Sequence, residues 1–315
     1  MVFIYDPERR KSMKRGRNSL FYIMFIVIVC LLWGIGNPVI KIGLGSLDVF
    51  YALGLRYVIA IIIFFAVFRK DLVRKLERAD RKSLTAVSLL TAAEFITGNL
   101  AIMLSTATVA GFLMCISIIF TPFFSRAMLK TRMDKRIFPV LILCVAGLYL
   151  LCCGTGSFSF GWGEVLALLC SLTTAISLIL STKFLEYHDA STLSAGQCMA
   201  TALVSFILAG VRGKIINPMA INATGWYCVL YLALGCTVLA YLLQNEAIGK
   251  LPPIYVSVTF CLEPIFTALA AGILLKEKLL PLGTLGAVMI VAAIVITSVI
   301  ITVDSTKKLN SSSSS

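Results

Sequence analysis

Ten stretches of the chain stay apolar for roughly twenty residues, the length a helix needs to cross a bilayer. They lie at 20–41, 49–68, 84–103, 107–127, 137–153, 163–182, 192–211, 226–246, 254–275 and 282–302. Within them apolar residues do not alternate with polar ones: Ile59 to Phe68 is apolar at every position. A barrel strand needs that alternation, and only helices otherwise satisfy their backbone groups in lipid. The pattern predicts an all-α polytopic membrane protein of ten transmembrane helices. The segment before residue 20 is too long and too charged for a signal peptide, so the first span is expected to remain as a helix.

Composition agrees with that reading. Hydrophobic residues make up 59% of the 315 positions and charged ones 14%, against about 25% charged in soluble domains. The net charge of +13 sits beside apolar runs, at Arg9 to Arg17, Arg69 to Lys82 and Arg126 to Arg136. Placed there, basic residues set membrane orientation. Of the 28 Lys and Arg, 22 fall on the N-terminal side of the ten-span scheme and only Arg212, Lys214, Lys276 and Lys278 on the other. Both termini are therefore expected in the cytoplasm, with the protein in the cell membrane. No basic face is interleaved with stacking aromatics, so nucleic acid is not an expected partner. The ten cysteines show no CxxC spacing and His188 is the sole histidine, which gives no metal site and no disulfide framework. No phosphate loop, HExxH or GxSxG is present. The expectation is no enzyme, no catalytic residues and no cofactor.

An internal repeat organises the chain. At a constant offset of 142 residues, Lys41 falls on Lys183, Pro122 on Pro264, Phe124 on Phe266, Pro139 on Pro281 and Leu143 on Leu285. Each half then holds five spans, and an odd number of crossings inverts the second copy. Two inverted five-helix repeats about a central site are the architecture of a secondary transporter. The expected division is a cytoplasmic basic arm over 1–19, a first repeat over 20–153, a second over 154–303 and a cytoplasmic polar tail over 304–315.

Polar groups at membrane depth are costly and normally face a cavity or one another. Trp33, Asn37 and Lys41 recur every four residues, so they share one helical face. Trp33 and Asn37 offer stacking and amide hydrogen bonds; Lys41 equally suits a snorkelling span end. Arg56 lies too deep in the second span for a solvated charge, and Glu94 near the middle of the third is its economical partner. Such a pair is either structural or part of the site, with Arg56 attracting an anionic group and Glu94 a candidate proton carrier, since burial disfavours a bare carboxylate charge. In the second half Tyr241 and Asn245 share a face, Tyr255 opens the ninth span, and Glu263 precedes Pro264, which bends a helix and frees a carbonyl. Glu263 suits a gate or a cation site as well as a backbone cap. The expected solute-binding set is Trp33, Asn37, Arg56, Glu94, Tyr241, Asn245 and Tyr255, with Glu94 and Glu263 for coupling or gating.

The segment WGxxNxxxK from Trp33 to Lys41, Arg56, and the run from Cys261-Leu-Glu-Pro-Ile-Phe-Thr-Ala-Leu to Lys276-Glu277-Lys278 and Gly286 together resemble the EamA repeat of the drug/metabolite transporter superfamily. In that pattern a proline is followed by a glutamate and then a glycine, which Pro264, Glu277 and Gly286 match. The first copy departs from it, with Pro122 followed by Lys135 and Cys144 at those positions. The resemblance spans nearly the whole chain and implies ten helices, a central cavity and export or exchange of small metabolites, amino acids or drugs. The expected partners are a small solute, the lipid bilayer and protons or a counter-substrate. A nucleotide-sugar or sugar-phosphate antiporter and a membrane scaffold or lipid-handling protein are the competing readings.

Overall fold

The computed structural model describes residues 19–44, 47–105, 107–130, 135–153, 160–276 and 281–313. The basic arm before Ser19, together with Glu277 and Lys278, lies outside them. Ten helical spans follow in order. They are α1 (Ser19–Leu44), α2 (Val49–Arg78), α3 (Arg81–Leu104), α4 (Ala107–Cys115 and Ser117–Leu129), α5 (Ile137–Cys153), α6 (Trp162–Phe184), α7 (Ala190–Val211), α8 (Ala223–Ile248), α9 (Pro253–Phe260 and Glu263–Leu274) and α10 (Pro281–Ser313). Eight are long and apolar enough to cross a bilayer, and the shorter apolar stretches Ile137–Leu151 and Pro281–Thr297 complete ten. Five crossings per half turn the second repeat upside down relative to the first.

The prolines at matching register break matching helices. In α4 the chain tightens around Ile116, where Ile119 N bonds Ile116 O at 2.8 Å, nearly two turns before Pro122. In α9 it does so at Cys261 and Leu262, immediately before Glu263 and Pro264. Proline removes a backbone donor and blocks the carbonyl four residues back, so each helix continues as a second segment. The two broken helices meet where Thr121 Oγ1 donates to Ser257 Oγ at 3.1 Å.

The halves interleave as pairs: α2 packs on α7, α3 on α6, and α5 on α10. Without water to drive association, membrane helices approach through small residues. Gly147 and Gly286 do this for α5 and α10, since a Cβ built on Gly286 would lie 2.4 Å from the Gly147 carbonyl oxygen. Helices α2 and α7 are also tied at both ends. Asp48, the N-cap of α2, accepts from Phe50 and Tyr51 N–H and stands 3.9 Å from Arg212 just past α7. At the far end Lys75 bridges Asp71 at 2.9 Å and Asp189, the N-cap of α7, at 3.0 Å. Hydrogen bonds to Asp71 and Asp189 raise the Lys75 ammonium above its usual range, and Lys75 in turn lowers Asp71. Asn222 of the Asn222-Ala-Thr224 sequence caps α8, accepting from Gly225 N–H at 2.8 Å.

Candidate functional site

A cavity of about 100 Å³ lies at the centre of the bundle, walled by α1, α2, α3, α4, α6, α8 and α9. Both repeats contribute to it. Close approach of α1 to α9 builds one wall: a Cβ on Gly34 would meet Phe266 Cβ at 2.4 Å. That approach lets Asn37 Nδ2 donate to Glu263 Oε1 and to Thr267 Oγ1, both at 3.0 Å.

Helix α8, packed on α1, builds another wall through an irregularity. Residues Leu234–Leu239 form a π-helical turn, a feature that recurs at functional sites. Within it the Cys236 carbonyl accepts from Trp33 Nε1 at 2.9 Å and from Arg56 Nη2 at 3.0 Å. Thr237 Oγ1 accepts from Arg56 Nε at 2.5 Å while donating to Leu232 O at 2.9 Å. The guanidinium also lies 5.2 Å from the Tyr57 ring centre and 5.5 Å from that of Phe95. Arg56 is 2% exposed. Among the described residues no carboxylate lies within ion-pair distance of it, so the expected Arg56–Glu94 pair is replaced by neutral acceptors on α8 and two aromatic rings. The physical reason is reach: α8 presents a freed carbonyl and a hydroxyl directly against this point of α2.

Glu94 and Glu263 are half-buried and face the same space from α3 and α9. Glu94 neighbours the Thr174 hydroxyl of α6, and Cys170 Sγ donates to the Glu94 carbonyl at 3.2 Å. Trp33, Phe95 and Phe260 supply the aromatic surface, with Trp33 6.0 Å from Phe95 and 5.8 Å from Phe260 between ring centres. Trp33, Asn37, Arg56, Glu94 and Glu263 thus come together at one cavity.

Tyr241, Asn245 and Tyr255 do not line it. Tyr241 Oη lies 2.8 Å from Tyr57 Oη, with both rings fully buried against Phe95. Asn245 Nδ2 donates to Ser194 Oγ and Gln197 Oε1, both at 2.9 Å, in a network that reaches Thr91 and Ser177. Tyr255 packs against the cluster of Ile26, Val29 and Ile248. Lys41 is half-buried at the end of α1 and Glu246 is exposed, neither lining the cavity. Phe95, Cys236 and Thr237 were missed by sequence reasoning: one is an apolar residue in an apolar span, and the others act through the π turn.

A smaller cavity, sharing Ile40, Arg56, Asn99 and Leu232 with the central one, continues past Gly43 to Leu47 and Cys228 at the end of α1 and the start of α2. The other end is packed shut by Tyr57, Phe64, Leu72, Cys198 and Tyr241, and by Ile26, Ala247 and Ile248.

The EamA-like transporter family model matches residues 20–153 and again 161–299. Two proteins of Archaeoglobus fulgidus, each named an uncharacterized transporter, are similar over most of the chain. One is 27% identical over 283 residues, covering 90% of this chain and 87% of its own. The other is 28% identical over 291 residues, covering 89% and 98%. A solved crystal structure superposes with a TM-score of 0.76 at 16% identity, covering 91% of this chain and 98% of that one, which is a likeness of fold.

Proposed function

Because the chain belongs to the EamA-like transporter family, we propose that it is a secondary transporter that exports or exchanges a small solute, amino-acid-like or drug-like, by alternating access. The observation that carries this reading is the cavity: a charged, aromatic space walled by both inverted repeats, extended toward one end and closed at the other by the Tyr57–Tyr241 pair. Inverted halves that rock about such a space open it to each side in turn. Charge bias supports both termini on the cytoplasmic side of the cell membrane, and with that orientation the cavity extends toward the outer side. Trp33, Asn37 and Glu94 contact the solute, Glu94 carries a coupling proton, and Glu263 links the solute to the broken helix α9. Tyr241 serves as part of the closed end.

Two competing readings receive less support. A scaffold would be packed dry at its centre, where this fold holds two carboxylates and a guanidinium. A sugar-phosphate antiporter needs several cations, and Arg56 is the one cationic side chain among the described residues lining the cavity. The test is uptake into proteoliposomes of a panel of amino acids, small amines and phosphorylated metabolites, with and without a pH gradient. Saturable, pH-driven movement that falls at least tenfold in Glu94→Gln is expected; an unchanged rate and pH response in folded Glu94→Gln would remove Glu94 from the mechanism.

A further inference from the structure

We propose that the closed end of the bundle conceals a second solute passage, lined by uncharged hydroxyl and amide groups of α3, α6, α7 and α8, which opens toward the N-terminal side when the other end shuts. This rests on the transport reading and deepens it by assigning residues to the route on the closed side.

The repeat locates the passage. The smaller cavity, which runs toward the end where α1 finishes, is lined by α1, α2, α3 and α8. Exchanging the two inverted halves turns α1 into α6, α2 into α7, α3 into α8 and α8 into α3, so the equivalent passage at the opposite end lies among α6, α7, α8 and α3. At the offset of 142 residues, the lining positions Ala52, Leu53 and Arg56 of α2 fall on Ser194, Ala195 and Cys198 of α7, and Asn99 of α3 falls on Tyr241 of α8. Ser194, Ala195, Cys198 and Tyr241 are all at most 1% exposed. Tyr241 is also the residue whose hydroxyl meets that of Tyr57 to shut this end.

Buried chemistry points to the same four helices. Gln197 Nε2 of α7 donates to Thr91 Oγ1 of α3 at 3.0 Å, and Thr91 Oγ1 lies 3.1 Å from Ser177 Oγ of α6. Asn245 of α8 joins them through Ser194 and Gln197. The network leaves groups over: among the described residues, Asn245 Oδ1 and Ser88 Oγ have no hydrogen-bond partner. A buried polar group without a partner is costly, and more so at membrane depth; water in an opened passage satisfies both. Opening parts the seam between α3 and α7, where Gln197 bonds Thr91 and a Cβ built on Gly196 would stand 3.0 Å from Ser88 Oγ. Donors and acceptors exposed together there suit a polar solute that has shed part of its hydration.

The test follows the accessibility of single cysteines to a membrane-impermeant maleimide, in a chain whose native cysteines are replaced. Ser194→Cys should react from the N-terminal side only. Tyr241→Phe, which removes the bond closing this end, should speed that reaction about fivefold, the worth of one ordinary hydrogen bond. Ala247→Cys, equally buried at the same end but packed in the cluster of Ile26 and Val256, should stay unreactive with and without Tyr241→Phe. Reaction of Ala247→Cys as fast as that of Ser194→Cys would mean that the whole end loosens, and would overturn the passage. An unreactive Ser194→Cys in folded protein, with Tyr241→Phe as without it, would overturn it as well. Uptake of any solute of the panel by the parent chain would then leave the transport reading standing, whereas a still panel would remove both.

Discussion

At the residue scale the site depends on how Arg56 is held. Its cost at membrane depth is met by a freed carbonyl, a hydroxyl and two ring faces rather than by a counter-charge. Thr237→Val removes the acceptor for Nε and leaves a charged donor buried; hydrogen bonds to charged groups contribute about 1.5–3 kcal/mol. Thermal unfolding in detergent should show a loss of about 2 kcal/mol, largely restored in Thr237→Ser, which keeps the hydroxyl. Equal stability of the valine and serine variants would mean that the bond is not made. Trp33, Asn37, Arg56, Glu94 and Glu263 were legible in the sequence because a polar group in an apolar run needs an explanation. Tyr241 and Asn245 do share a face, as their spacing of four requires, but that face meets α2 and α7 rather than the cavity. Periodicity assigns residues to a face; it does not say what the face touches.

At the scale of elements the spans and their breaks were the most legible part. The 142-residue register predicted equivalent prolines, and both α4 and α9 are interrupted within two turns before them. The π turn of α8 left no such trace, since Leu234 to Leu239 reads as ordinary apolar helix. Gly286 had a pattern but no reason until α5 was beside it. A methyl group there would collide with backbone, which cannot swing aside, so Gly286→Ala should force α5 and α10 apart. Overpacking costs about 1–3 kcal/mol, and the melting temperature in detergent should fall accordingly; Gly111→Ala, where an added Cβ meets nothing within 4 Å, is the matched control and should melt like the parent. At the N-terminal end of α2, Asp48→Ala removes an N-cap worth about 1 kcal/mol along with the neighbour of Arg212. Its destabilisation should be read by the same melt, and a change below a few tenths of a kcal/mol would show that water replaces the cap.

At the scale of the whole molecule, two inverted halves of like architecture carry unlike chemistry. Asn37, Arg56 and Glu94 come from the first repeat and Glu263 from the second, so the geometry repeats where the charges do not. The described state is shut at the end where α1 begins and extended toward the end where it finishes. A single cysteine introduced as Met114→Cys, at a cavity-lining position, in a chain whose native cysteines are replaced should therefore react with a membrane-impermeant maleimide from the side opposite the N-terminus. Reaction only from the N-terminal side would overturn the assignment of the closed end. The tie between Arg56 and α8 has a further consequence, which concerns time rather than space. Arg56 and its acceptor Thr237 are 181 residues apart, and ribosomes add about 5–20 residues per second. The second helix thus waits roughly 10–40 s in the course of synthesis before the groups that neutralise its burden exist. For that interval the nascent first repeat holds a guanidinium flanked by the Tyr57 and Phe95 rings but without its α8 acceptors; insertion of a bare one at the helix centre is disfavoured by about 2.5–3.5 kcal/mol, and α2 is the helix expected to settle last among the first five.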